Sequence, residues 1–166
     1  RPIIIAAVTD PHSLGLARNV CGITDMIDVK AEIDMLKKLV PHARSVGLLY
    51  TSGEPNSIAM IEKMRTLLKE HDLQTIDCAV SSEADILTAV ELACRKADVL
   101  LAPTDNTVAC AISIISATAL KYKKPLIVSH NEAVPAGALA ARGVDYHACG
   151  TRAGQIAYAL LVQGKK

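Results

Sequence analysis

Four short stretches concentrate the polar side chains of this sequence: TSGEPNS at 51–57, SSEAD at 81–85, PTDNT at 103–107 and SHNEA at 129–133. Each follows an apolar run and precedes a helical pattern. Residues of these types do two jobs at a strand-to-helix turn. They cap helices, because a Ser, Thr, Asn or Asp oxygen accepts from the free N–H groups of the first turn. They also face small polar molecules. A helix N-terminus favours a carboxylate, and a side-chain carboxylate receives an ammonium group in a charge-assisted bond. PTDN holds more polar groups than one cap uses, which makes Thr104, Asp105 and Asn106 candidates for binding. Gly53 and Pro55 bend the chain before Asn56 and Ser57, and Asn131 and Glu132 occupy the fourth stretch. Asp105, Asp10 and Glu132 are the candidate receivers of an ammonium group. Together these groups suit a zwitterion such as an amino acid. Capping alone would also select them, so at any single junction both readings stand.

Catalysis finds less support. The sequence has no GxSxG elbow, no Walker loop and no Rossmann glycine fingerprint. His130 stands at a polar junction where a base could sit, but its neighbour Ser129 would project to the opposite face of a strand. His12, His42, His71 and His147 fall in turns or at helix ends. The expectation is a binding protein without catalytic residues or cofactor. Cys21, Cys78, Cys94, Cys110 and Cys149 are scattered, with no CxxC and no zinc-type spacing. They are expected to be reduced, buried thiols, with no metal.

The elements that must position these groups follow from two alternating periods. Strands are predicted at 2–8, 45–50, 73–80, 97–102, 125–129 and 137–142, several of them apolar throughout, as in a parallel sheet covered on both faces. Helices are predicted over 29–40, 56–70, 83–96, 107–121 and 146–162; the fourth is apolar nearly all round and is expected to be well buried. This alternation predicts an α/β fold with a doubly wound parallel sheet flanked by helices, five of its strands lying within 45–142. Every strand-to-helix turn then falls on the carboxyl edge, where ligands bind. The return turns PHARS, EHDLQ, CRKAD and KYKKP are basic and bulky, as suits solvated helix C-termini.

Composition agrees. The 166 residues are 51% hydrophobic yet contain no Phe and no Trp, so the core must be aliphatic. A net charge of +1 with mixed signs gives no nucleic-acid surface. No apolar run approaches the ~20 residues of a membrane span.

In order and spacing, IIIAAVTDP (3–11), NVCGITD (19–25), LVPHARSVGLLYTSGEPNS (39–57), PTDNTVA (103–109) and GALAARGVDYHACGTRAGQIA (137–157) resemble the substrate-binding proteins of ABC transporters of the tryptophan/tyrosine-binding type. The resemblance implies one lobe of a type I periplasmic-binding fold. Residues 1–19 would be the last strand and crossover of an amino-terminal lobe lying mostly outside this chain. Residues 20–145 would be the carboxyl-terminal lobe, and 146–166 the return crossover and terminal helix. It implies binding of a small polar ligand, an amino acid and possibly an aromatic one, in a cleft between two lobes, with an ABC permease as partner. The location implied is the periplasm or the cell surface. By motif match the ligand-facing residues are Thr9, Asp10, Asn56, Ser57, Thr104, Asp105, Asn106, Asn131, Glu132 and Asp145. A cytoplasmic ligand-sensing domain on the same lobe, or a flavodoxin-like enzyme domain, are the alternatives. Because 2–8 lacks a strand neighbour in this reading, dimerisation or swapping of the terminal elements is expected.

Overall fold

The computed structural model describes residues 1–11, 15 and 18–164; His12 lies outside the described residues. The chain divides into two compact units, one of residues 27–143 and one of residues 1–26 with 144–166.

The terminal unit begins with β1 (Ile3–Ala6) and β2 (Val20–Ile23), which pair in parallel from Ile3 opposite Val20 to Ala6 opposite Ile23. A Cβ on Gly22 would run into the Ile5 carbonyl, so this close approach requires glycine. A four-residue strand with an internal glycine carries almost no strand signal, and β2 was not expected. Its presence corrects the view of 2–8 as a strand without a neighbour. The dimerisation expected of an unpaired 2–8 has no support from this pairing. Thr9 is buried and its hydroxyl donates to Asp25 Oδ1 at 2.7 Å, while Thr24 Oγ1 donates to the Thr9 carbonyl at 3.0 Å.

The larger unit runs α1 (Val29–Leu39), β3 (Ser45–Thr51), α2 (Pro55–Glu70), β4 (Gln74–Val80), α3 (Ile86–Lys96), β5 (Val99–Ala102), α4 (Asn106–Cys110), α5 (Ile112–Lys121), β6 (Leu126–Val128) and β7 (Ala140–Ala141). The five strands form one parallel sheet in the order β4-β3-β5-β6-β7. Alternation along each strand sends neighbouring side chains to opposite faces. Leu49, Cys78, Val80, Leu100, Ala102, Leu126 and Val128 enter one core cluster with Val90, Ala93 and Cys94 of α3 and Ile115 and Ala119 of α5. The intervening Leu48, Tyr50, Leu101 and Ile127 are also buried, and α1 and α2 bury Ile33, Leu36, Met60, Ile61, Met64 and Leu68. This is the expected flanked parallel sheet with an aliphatic core. In the terminal unit α6 (Tyr146–Leu161) packs on β1 and β2 and buries no residue completely.

Several sequence expectations need correction. The stretch 107–121 is two helices, broken at Ala111, and leaves Ile114 44% and Leu120 62% exposed. The strand expected over 137–142 shrinks to two residues, because Gly137 at φ 113° forms the end of the preceding turn. The five cysteines are free thiols, yet Cys21 and Cys110 are exposed, and only Cys78 and Cys94 are fully buried. Burial pushes the Cys78 thiol up to about 11 and the Cys94 thiol up as well. A thiol reagent should therefore titrate Cys21 and Cys110 quickly in the native protein, Cys149 more slowly, and Cys78 and Cys94 only on unfolding. A single kinetic phase for all five would contradict this placement.

Candidate functional site

In the order β4-β3-β5-β6-β7 the chain leaves β3 for one side of the sheet and β5 for the other. The connections diverge there, at the switch point beyond the carboxyl ends of β3 and β5, the place where open α/β sheets bind ligands. Thr51 ends β3 and Ala102 ends β5. The stretches TSGEPNS and PTDNT therefore meet at this point.

Asp105 is the hub of that meeting. It is 1% exposed. Its carboxylate accepts from Thr51 N at 2.7 Å, Thr51 Oγ1 at 2.8 Å and Val108 N at 2.9 Å. The last bond is the N-cap of α4. Asp105 is thus a cap and also a tie between the end of β3 and the start of α4.

Glu54 makes a second tie. It precedes α2, where its side chain makes no capping bond. The carboxylate reaches across to the start of α4 instead. Oε2 accepts from Asn106 N at 3.0 Å and Asn106 Nδ2 at 2.8 Å, and Oε1 accepts from Thr107 N at 3.1 Å and Thr107 Oγ1 at 3.0 Å. Burial works to raise this carboxyl, but the bonds from Asn106 and Thr107 outweigh it and hold the group below the ordinary range. Asn56 Nδ2 donates to the Thr104 carbonyl at 3.1 Å and reaches Glu54 Oε2 at 3.4 Å. Thr104 Oγ1 donates to the Ser129 carbonyl at 3.3 Å. The amide nitrogens of Asn56 and Asn106 are therefore committed to acceptors, and neither Oδ1 has a partner among the described residues.

Glu54 was overlooked in the sequence, where GEP was read as a bend. The available signal was that Glu is a poor N-cap in a position that prefers Ser, Thr, Asn or Asp. A Glu there asks for another partner.

The structure brings together Asn56, Thr104, Asp105 and Asn106 of the expected site residues. Ser57 is fully buried and its hydroxyl has no hydrogen-bond partner among the described residues. Asn131 accepts from Gly143 N at 3.1 Å and Glu132 is exposed in the same short turn. His130, beside them, is half-buried and has no partner for either ring nitrogen; burial lowers its pKa, with the Glu132 charge opposing. Tyr50, near the end of β3, is buried and its hydroxyl accepts from Arg65 Nη2 at 2.8 Å. Thr9, Asp10 and Asp145 belong to the terminal unit. There Asp145 caps α6 through Ala148 N at 2.9 Å, and Asp10 is partly exposed.

A family model described as ABC transporter substrate binding protein matches residues 1–166. The chain belongs to that family. It is similar to the tyrosine-binding protein of Clostridioides difficile (strain R20291), at 33% identity over 99% of this chain and 49% of that protein. It is similar to the solved ABC domain from Streptococcus pneumoniae in complex with L-Trp, with TM-score 0.87 and 30% identity over 99% of this chain and 59% of that one. The ligand-free, open structure of a Clostridium difficile substrate-binding protein with adhesive properties gives TM-score 0.81 and 30% identity, covering 99% of this chain and 58% of that one. The chain spans about half the length of the curated relatives it matches. The sheet of parallel strands flanked by helices is the fold of these relatives.

The Asp105 tie makes a stability prediction. In Asp105→Asn one oxygen becomes an NH2 group and faces a donor, because both oxygens accept from N–H or O–H groups. The buried position should lose about 2–3 kcal/mol, the scale of a hydrogen bond to a charged group. Urea unfolding measures this; an unshifted midpoint would show that the tie does not hold the edge.

Proposed function

We propose that this chain is part of the solute-binding component of an ABC importer and that its carboxyl-edge crevice receives the ammonium end of an amino acid, aromatic amino acids included. The carrying observation is that the crevice holds two carboxylates, Asp105 and Glu54, whose hydrogen-bond partners are all uncharged donors. Among the described residues the ion pairs are Arg65–Asp77 and Lys121–Glu91, so neither crevice carboxylate has a cation beside it. The negative charge is fixed in place and remains uncompensated. Donors already surround both carboxylates. A ligand cation therefore meets them through their field, and the unengaged Oδ1 atoms of Asn56 and Asn106 offer the direct contacts.

The names of the relatives support the same ligand class: one is a tyrosine-binding protein and another was solved with L-Trp. In this reading the protein acts outside the cytoplasmic membrane and hands its ligand to a permease. It binds and performs no chemistry.

Calorimetric titration of the full-length protein carrying this chain tests the proposal. L-Tyrosine and L-tryptophan should bind, and their N-acetyl derivatives, which lack the ammonium group, should bind at least about tenfold more weakly. Glu54→Gln should weaken the free amino acids by a similar factor. Equal affinity for the free and N-acetylated forms would sink the assignment of the ammonium end to this crevice.

A further inference from the structure

Behind the crevice stands a buried acid. Glu32, on α1, is fully buried. Its Oε1 lies 2.9 Å from Ser129 Oγ, which itself lies 3.2 Å from the Ala102 carbonyl oxygen. Its Oε2 has no hydrogen-bond partner among the described residues.

The protons must be counted here. The Ser129 hydroxyl has one proton and two oxygen neighbours, so it donates to only one of them. The Ala102 carbonyl has no proton to give. The carboxyl group can supply one. With a proton on Oε1, Glu32 donates to Ser129 Oγ, and Ser129 donates to Ala102; both contacts are then satisfied. An ionised Glu32 would draw the Ser129 hydroxyl to Oε1 and leave the Ala102 carbonyl to the Ser129 N–H alone, which bonds it at 3.0 Å. It would also leave a charged, buried Oε2 with no donor, which is far costlier than a buried neutral carbonyl.

We propose that Glu32 resides in this protein as an uncharged carboxylic acid whose proton locks α1 to the carboxyl ends of β5 and β6. The same segment carries the crevice, since Thr104 Oγ1 bonds the Ser129 carbonyl. Glu32 is therefore a positioning residue for that edge, and the lock stands whether or not the crevice binds an amino acid.

The surroundings agree. The charge acting on Glu32 is that of Arg142, just after β7, and it forms no ion pair with Glu32 among the described residues. β5 and β6 contain no titratable side chain. The inward residues of α2 are Ser57, Met60, Ile61, Met64 and Leu68, and β3 contributes only Tyr50, engaged by Arg65. Asp28, which caps α1, is committed to Ala31 N. His130 follows Ser129 and is held toward its neutral form by burial. Burial pushes the Glu32 carboxyl from 4.5 up to about 8, against the bond that Ser129 would give the ionised form and the charge of Arg142. A folded-state value raised in this way contributes stability that is fully present below about 4.5 and is lost as pH rises through about 8.

Glu32→Gln tests this, because its NH2 group donates to Ser129 as the acid does and cannot titrate. Urea unfolding of both proteins across that pH window should show the wild-type unfolding constant rising, relative to the variant, by up to about tenfold per pH unit. Infrared spectroscopy of the wild type near neutral pH should show the carbonyl band of an un-ionised carboxylic acid, fading above about pH 8 and absent from Glu32→Gln. Parallel pH profiles for the two proteins would overturn the proposal. So would a wild type without the band near neutral pH, a result that needs no variant to fold.

Discussion

One buried carboxylate sets the geometry of the carboxyl edge. Asp105 holds both the backbone and the hydroxyl of Thr51, at the end of β3, and the first turn of α4. At the switch point of a doubly wound sheet the chain departs in opposite directions, so the two strand ends need a fastening that the ladder of backbone bonds does not supply. Asp105 supplies it from one side and Glu54 from the other, reaching from the start of α2 to Asn106 and Thr107. The α4 segment is only five residues long. So short a helix is marginal alone. Its place is fixed by these two carboxylates.

Two acids of this edge, Glu54 and Glu32, are treated in opposite ways. Glu54 is surrounded by donors and its pKa is lowered; Glu32 has one hydroxyl neighbour, lies fully buried, and its pKa is raised. The number of donors offered to the charge decides the outcome in each case. The stability contributed by Glu54 is present above the ordinary carboxylate range and lost as pH falls. The stability contributed by Glu32 is lost as pH rises. The edge is consequently held best between these two limits.

The sheet was legible because strand and helix periods are local and because parallel strands are apolar throughout. The cap formed by Asp105 was legible for the same reason, since Val108 is three residues away. Its bond to Thr51 spans 54 residues, the Glu54–Thr107 bonds 53, and the Ser129–Glu32 bond 97. In GEP only the poor cap residue hints at a distant partner, and nothing in the local pattern of AEID does. Side chains that work across the sheet edge are specified by strand order, which the local periods do not encode. β2 escaped for a different reason: VCGI is too short and too glycine-marked to register as a strand, and β1 holds it in place from outside.

The chain contains no Phe and no Trp. In the unit of residues 27–143 the tyrosines are Tyr50 and Tyr122, and each hydroxyl is bound by an arginine, Arg65 or Arg95, whose guanidinium also lies 5.5 Å from the ring. Neither ring belongs to the network of Asp105 and Glu54. That network therefore contains no aromatic surface. The same composition makes the chain optically quiet: with no indole of its own, its ultraviolet emission comes from tyrosine alone. An indole-bearing ligand would announce its own capture against a dark background.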